Sequence, residues 1–270
     1  MRMNHLLKEK FATVRQRGGA SEADDISEGG PNANTKTEKT EAITIDPVNI
    51  DPTTGLIKGY TSMGRGSVVA AIQAVKEGKV VLVVDDEGRE NEGDLIMAGS
   101  LATPTAIGFI VRHSSGVLCA SMEGPRLLEL GLPPMVVNNE DPKGTAYAIS
   151  CDYITGISTG ISASDRATTF RGLADPNAVP GDFTRPGHVF PLSYSRGGTI
   201  ARAGHTEASV DLCKLAGLPA CGVLAEVVHD EGGVQRLPDL EIMANDKGLV
   251  LTSIQDIVAY RAEIEGVQYD

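Results

Sequence analysis

VVLVVDDEGRENEGD, Val80 to Asp94, joins five consecutive valines or leucines to a ten-residue string, Asp85 to Asp94, that carries six carboxylates and one arginine. The apolar run reads as a buried strand. The acidic string then starts where the strand leaves the core, the place where open sheets tend to take ligands. If the chain stays extended beyond Arg89, its period of two puts Glu90, Glu92 and Asp94 on one side. Three like charges so placed repel one another unless a cation or substrate hydroxyls sit between them. Oxygen ligands of this kind suit a hard divalent ion such as magnesium. The competing reading is a solvated acidic loop.

Outward from this stretch, helices and strands alternate. Ser67 reads as the cap of a helix carrying Val68, Val69, Ile72 and Val75, with Gly78 as its stop. A second helix is predicted over Thr103–His113, a strand over Gly116–Met122, a short helix over Arg126–Leu130 and a strand over Ala146–Tyr153. Residues from Ile154 to Pro191 are rich in Gly, Ser, Thr and Pro, which predicts loops holding a site. Helix returns at Thr206 and ends at Gly217, GVLAEVV from Gly222 and LVLTSI from Leu249 are strands, and a closing helix includes Ile257, Val258 and Ile264. The pattern predicts one α+β domain over residues 61–270, with a mixed sheet.

Residues 1–60 hold glycine pairs and a polar NANTKTEKTE tract, with few clustered hydrophobes, and are expected to be a disordered extension. The first 17 residues carry five basic groups and one acid. That faintly resembles an organelle transit peptide, against which stand the acids that follow. The expectation is a cytoplasmic protein, with plastid import as the alternative. No apolar stretch approaches the roughly 20 residues that a membrane helix needs. The net charge of -12 argues against a nucleic-acid surface. Four cysteines without a CxxC pair disfavour a zinc knuckle and a disulfide framework, and most are expected to be reduced, buried and inert.

Residues 1–66 contain nine basic and nine acidic side chains, so the rest of the chain carries the whole negative charge. Inside that acidic body, Asp165 to Arg202 holds five arginines against three acids. Guanidinium groups suit phosphate or carboxylate. One segment is thus fitted to a cation and another to an anion. RPGHVFPL, from Arg185, frames His188 between prolines, either as a general acid or base or as a structural histidine in a turn. In RAGHTEASVDL, Arg202, the Gly204 backbone and Thr206 precede a helix whose first amides suit an anion, with Thr206 as a possible cap and His205 beside them as a candidate metal ligand. Glu226 interrupts an apolar strand and is either on a solvent-facing position or buried with a raised pKa.

DDEGRENEGDL, HSSGVLC, STGISASDR, RPGHVFPL, RAGHTEASVDL and GVLAE, in this order, resemble 3,4-dihydroxy-2-butanone 4-phosphate synthase of riboflavin biosynthesis, over about residues 66 to 262. The resemblance implies an α-β-α layered single domain, a homodimer with active sites near the subunit interface, and no nucleic-acid or membrane partner. It implies a lyase, using Mg2+ or Mn2+, that turns D-ribulose 5-phosphate into L-3,4-dihydroxy-2-butanone 4-phosphate and formate through a metal-stabilised enediolate. By resemblance the metal ligands are Glu90 and His205, and the catalytic residues are His188 and Glu226. The substrate-binding residues are Arg89, Glu90, Glu92, Asp94, Cys119, Thr159, Arg202, Ala203, Gly204, His205, Thr206 and Glu226. The chain ends at Asp270 without a Cys-rich zinc segment, so the monofunctional form without a GTP cyclohydrolase II domain is expected. The rival readings are a magnesium-dependent ketose-phosphate isomerase or aldolase, and a non-catalytic metal-binding relative.

Overall fold

Val81–Val84 is a strand, β1, with all four side chains buried. The computed structural model of the protein describes residues 63–266, so the expectations for residues 1–60 lie outside the described residues. The other strands are β2 (Gly93–Ala98), β3 (Cys119–Glu123), β4 (Cys151–Tyr153), β5 (Phe183–Tyr194), β6 (Cys221–Glu226) and β7 (Val250–Ser253). They form one seven-stranded sheet in the order β4-β5-β3-β6-β2-β1-β7. β1 and β7, and β3 and β5, are parallel, and the remaining neighbours are antiparallel. The sheet is therefore mixed.

Alternation along the strands makes three layers. Leu82, Val84, Leu95, Met97, Val223 and Ala225 belong to one apolar cluster, and Val81, Val83, Ile96, Ala98 and Leu224 to another. Side chains with a period of two point to opposite faces, so both faces of the sheet are covered. On the first lie α2 (Pro104–Arg112), α3 (Gly124–Glu129), α4 (Ala163–Ala174) and α6 (Leu237–Lys247), through residues such as Ile107, Leu127, Phe170 and Leu240. On the second lie α1 (Gly64–Lys76), α5 (His205–Leu215) and α7 (Ile254–Glu265), through Val68, Leu212 and Ile257. Each Val or Leu so buried contributes roughly 1.5–3 kcal/mol, and a slip of one residue would exchange the two faces. The register is thereby fixed.

Several local expectations are corrected. Ser67 does not cap α1, which starts at Gly64; the Ser67 hydroxyl donates to the Gly64 carbonyl at 2.8 Å and meets Thr252 Oγ1 at 2.9 Å. Thr206 does not cap α5: Gly204 holds the cap position, with no side-chain capping bond. The stretch Ile154–Pro191 is not all loop, since it contains α4 and most of β5. Ser162 caps α4 by accepting from the Asp165 amide, and the helix buries Ala167, Phe170 and Leu173. α6, unanticipated, buries only Leu240 and Ala244, too few apolar positions to show a period.

β1, β6 and β7 run opposite to β2 and β3. Val84 pairs with Gly93, Asp94 with Glu226, and Cys119 with Leu224. The carboxyl ends of β1 and β6 and the amino ends of β2 and β3 thus meet at one edge of the sheet. Among the described residues, no helix is long and apolar enough to cross a membrane.

Candidate active site

The acidic string does not stay extended. Between β1 and β2 it turns back, with Asn91 in the left-handed region at φ 55°, and Asp85 organises the turn. Its carboxylate accepts from the Glu92 amide at 2.8 Å, the Glu90 amide at 3.1 Å and Arg89 Nη1 at 2.8 Å. Arg89 also donates to Glu90 Oε2. Burial lowers the Arg89 pKa, but Asp85 and Glu90 outweigh it and hold the guanidinium above its usual range. Folding of the turn about Asp85, and not strand alternation, brings Glu90, Glu92 and Asp94 together.

α5 starts opposite this turn. Arg202 Nη1 donates to Glu207 Oε2 at 2.7 Å, and the buried Glu207 also accepts from the Ser195 amide at 3.1 Å. A Cβ at Gly204 would lie 2.8 Å from Glu207 Oε2 and 3.0 Å from Arg89 Nη2, and would strike Arg202 Nη1. Two guanidinium groups from distant segments therefore meet over the glycine that opens α5. Positive charge and an uncapped helix amino end make an anion site.

His205 is 6% exposed. Its Nε2 lies 3.1 Å from the Val83 carbonyl. A carbonyl only accepts, so Nε2 carries the proton and Nδ1 is bare. Burial lowers the His205 pKa, Asp85 opposes it and Arg89 reinforces it, which keeps the ring neutral. Nδ1 faces Asp94 Oδ1 at 3.7 Å and Glu90 Oε2 at 3.9 Å. The buried Asp94 Oδ1 has no hydrogen-bond partner among the described residues. Oriented imidazole nitrogen beside carboxylate oxygen fits a hard divalent cation. Asp85, Glu90 and His205 also offer ligand atoms within 4.8 Å of one another, but the Asp85 oxygens are already committed to the turn.

Asp94 and Glu226 are cross-strand partners, an arrangement that repels when both are ionised. Burial pushes the Asp94 carboxyl well above its ordinary range, and Glu226, Glu90 and Glu92 push it further. Glu92 is raised too, by burial first and Glu90 next. Glu226 is half-buried and accepts from the Ser115 hydroxyl at 3.1 Å. This settles the choice left by periodicity: the side chain neither faces bulk solvent nor sits fully in the core. Cys119 is raised by burial and then by Glu226 and Asp94, so it stays a thiol beside Tyr147.

Arg89, Glu90, Glu92, Asp94, Cys119, Arg202, His205, Thr206 and Glu226 all line one cleft of about 120 Å³, with Thr145, Tyr147, Leu192 and Leu224. Four carboxylates against two guanidinium groups leave it acidic. Ala203 and Gly204 form the turn into α5. Thr159 and His188 do not line the cleft; His188 is on β5, with Nδ1 2.6 Å from Asp152 Oδ2 of β4, and Thr159 precedes Gly160, which packs against that pair. Sequence reasoning missed Asp85, Glu207, Asp152, Thr145 and Tyr147. Glu207 was findable as an acid in the first turn of α5, five residues from Arg202; the others gave no signal of their own.

The family model for 3,4-dihydroxy-2-butanone 4-phosphate synthase matches residues 69–260. The chain belongs to the 3,4-dihydroxy-2-butanone 4-phosphate synthase family. A crystal structure of such a synthase in complex with two magnesium ions is 44% identical, with a TM-score of 0.72, over 74% of this chain and 99% of that one. A synthase structure from Candida albicans is 46% identical, with a TM-score of 0.67, over 72% and 96% of the two chains. The chloroplastic monofunctional riboflavin biosynthesis protein of Arabidopsis thaliana is 52% identical over 204 residues, 75% of this chain and 43% of that protein. A riboflavin biosynthesis protein of Salinispora arenicola is 50% identical over 200 residues, 74% and 48% of the two chains. The synthase-family chain thus spans less than half the length of these two relatives.

Proposed function

We propose that this chain converts D-ribulose 5-phosphate into L-3,4-dihydroxy-2-butanone 4-phosphate and formate, for riboflavin biosynthesis, with Mg2+ or Mn2+. One observation carries the reading: the bare Nδ1 of His205 faces Glu90 and the unpartnered Asp94, beside two guanidinium groups converging on the amino end of α5. The cleft has a cation end and an anion end within one small volume.

Glu90 and His205 would hold the ion, which supplies Lewis acidity to sugar oxygens when bound. Arg89, Arg202 and Thr206 grip the phosphate end, and Glu207 fixes the Arg202 fork. Glu92 and Asp94 accept hydrogen bonds from sugar hydroxyls or hold protons, since both are raised. Glu226 takes or returns a proton at the sugar, held by Ser115. His188 is the second proton carrier.

The position of His188 supports the proposal of a homodimer. It lines no part of the cleft of its own chain, so a second copy is proposed to bring His188 and Thr159 to that cleft. An apolar depression of about 770 Å³, lined in part by Met135, Val136 and Val137, shares Thr145 and Tyr147 with the cleft and supports burial of this side against another copy. The synthase domain is taken as residues 61–270. Cytoplasmic residence is the reading for the cell; the chloroplastic plant relatives support the plastid alternative, and imaging the whole chain with a carboxyl-terminal fluorescent tag decides between them.

The deciding assay incubates the protein with ribulose 5-phosphate and magnesium. Stoichiometric formate is expected. Sugar consumed without formate would leave the isomerase or aldolase reading, and no sugar consumed would leave the non-catalytic one.

A further inference from the structure

We infer that Asp152 is a positioning residue for His188: its carboxylate fixes the ring as the Nδ1–H tautomer and leaves Nε2 as the nitrogen that exchanges a proton with substrate. This rests on the proposed role of His188. Asp152 is on β4 and 4% exposed. One oxygen accepts from the His188 amide at 2.8 Å and the other lies 2.6 Å from His188 Nδ1. A carboxylate only accepts, so Nδ1 bears the proton. Nε2 makes no hydrogen bond among the described residues, and the side chain is 40% exposed.

The local fold is built around this pair. In the β4–β5 register Cys151 pairs with Val189 but Asp152 pairs with Thr184, so Arg185, Pro186, Gly187 and His188 form an inserted bulge. Bulges re-aim side chains. Here the bulge is fastened by Arg185, which donates to the Gly131 and Phe183 carbonyls, and by the Gly187 amide, which donates to Ser150 Oγ. From the other side the STGISASDR loop closes over the pair. Gly160, at φ +98°, has no room for a side chain: a Cβ there would lie 2.6 Å from both Asp152 Cγ and His188 Nδ1. Asp165 on α4 holds that loop by accepting from Ser158 and Gly160, so its charge is spent there. Arg166, also on α4 and buried, sends Nη1 to the Gly116 carbonyl; burial lowers its pKa and the charge of Asp152 opposes that. Asp152 is thus the carboxylate committed to His188, with the Arg166 guanidinium in favourable electrostatic interaction with it. An asparagine would satisfy the backbone amide; the bond to the ring is what calls for a carboxylate.

The test is nitrogen-15 NMR of the His188 ring in the full chain, recorded above the pH at which the ring titrates, with His188→Ala to assign the signals. Wild type is expected to show a protonated Nδ1 and a bare Nε2. In Asp152→Asn the Nε2–H form should gain population, and kcat should fall by roughly 10- to 10⁴-fold with little change in KM. In a His188→Ala background, Asp152→Asn should lower kcat no further, because the pair acts as a unit. A protonated Nε2 in wild type, an unchanged tautomer in Asp152→Asn, or an added loss in the His188→Ala background would overturn the inference. The wild-type spectrum decides even if Asp152→Asn fails to fold. A protein that releases no formate defeats the proposed function and leaves the spectrum to judge Asp152.

Discussion

The cleft and the His188 corner are both held by buried aspartates, but they differ in what they lack. In the cleft, Asp85 ties a loop, Glu207 ties Arg202 and the Val83 carbonyl ties His205, so these groups are oriented by their own chain. What remains unsatisfied is charge: a buried carboxylate oxygen without a partner and four acids facing two arginines. At the His188 corner the geometry is equally fixed, yet the ring does not line that cleft of its own chain. The cleft offers ligands to a cation, and in the proposed homodimer the corner would face a second copy. Preorganisation within one chain thus serves two proposed partners, an ion at the cleft and a second copy of the chain at the corner.

The largest expected effect breaks or confirms that division. His188→Ala and Glu226→Ala should each lower kcat by roughly 10²- to 10⁴-fold. Mixed and re-equilibrated, the two inactive proteins should regain about a quarter of wild-type activity, because in half of the two-fold dimers one composite site is whole. No recovery in the mixture would place both residues' work within one chain. Next, magnesium at 100-fold excess over its dissociation constant should stabilise the wild type by about 2.7 kcal/mol in thermal melts. Glu90→Gln should lose most of that gain at the same concentration; identical shifts would remove Glu90 from the ion. Arg202→Ala should raise KM roughly 10- to 100-fold, the worth of hydrogen bonds to a charged group. A Michaelis constant that stays at the wild-type value would show that the phosphate end lies elsewhere.

The smallest effect sharpens the account of the missing charge. The Asp94 carboxyl is raised on folding, so its contribution is present in acid and lost as pH rises through the folded value. Asp94→Asn should therefore make the metal-free protein more stable near neutrality, by about 1 kcal/mol, with the gain vanishing at low pH. Denaturant titrations at neutral and acid pH measure this. A destabilised variant at neutral pH would mean that Asp94 is a structural acceptor.

Much of this was legible in the chain. The run Val80–Val84 announced a central strand because burial on both faces leaves no polar position, and Gly78 and Gly217 marked helix ends through their positive φ. Arg89 and Glu90 stood out in an acidic string directly after an apolar run, and Arg202 and His205 because they stand where a helix begins. Convergence was read for the wrong reason, since parity along a strand cannot anticipate a turn built on one side chain's hydrogen bonds. α4 was lost among small and polar residues whose burial depends on Tyr153 packing against Gly172, a tertiary fact. Likewise, His188 looked like a turn residue because its prolines and glycine break local periodicity, whereas the partner that gives it meaning lies 36 residues away.

The bond from His205 Nε2 to the Val83 carbonyl has a consequence for how this protein can change. The ring takes its bearing from the backbone of a strand whose side chains are wholly in the core. Substitutions of Val81 or Val83 that shift β1 by a fraction of an ångström would be absorbed by neighbouring apolar groups, but they would tilt Nδ1 away from Glu90. Ion affinity should thus respond to repacking beneath the sheet sooner than folding does, so the least conspicuous side chains of the chain set the tolerance of its most polar corner.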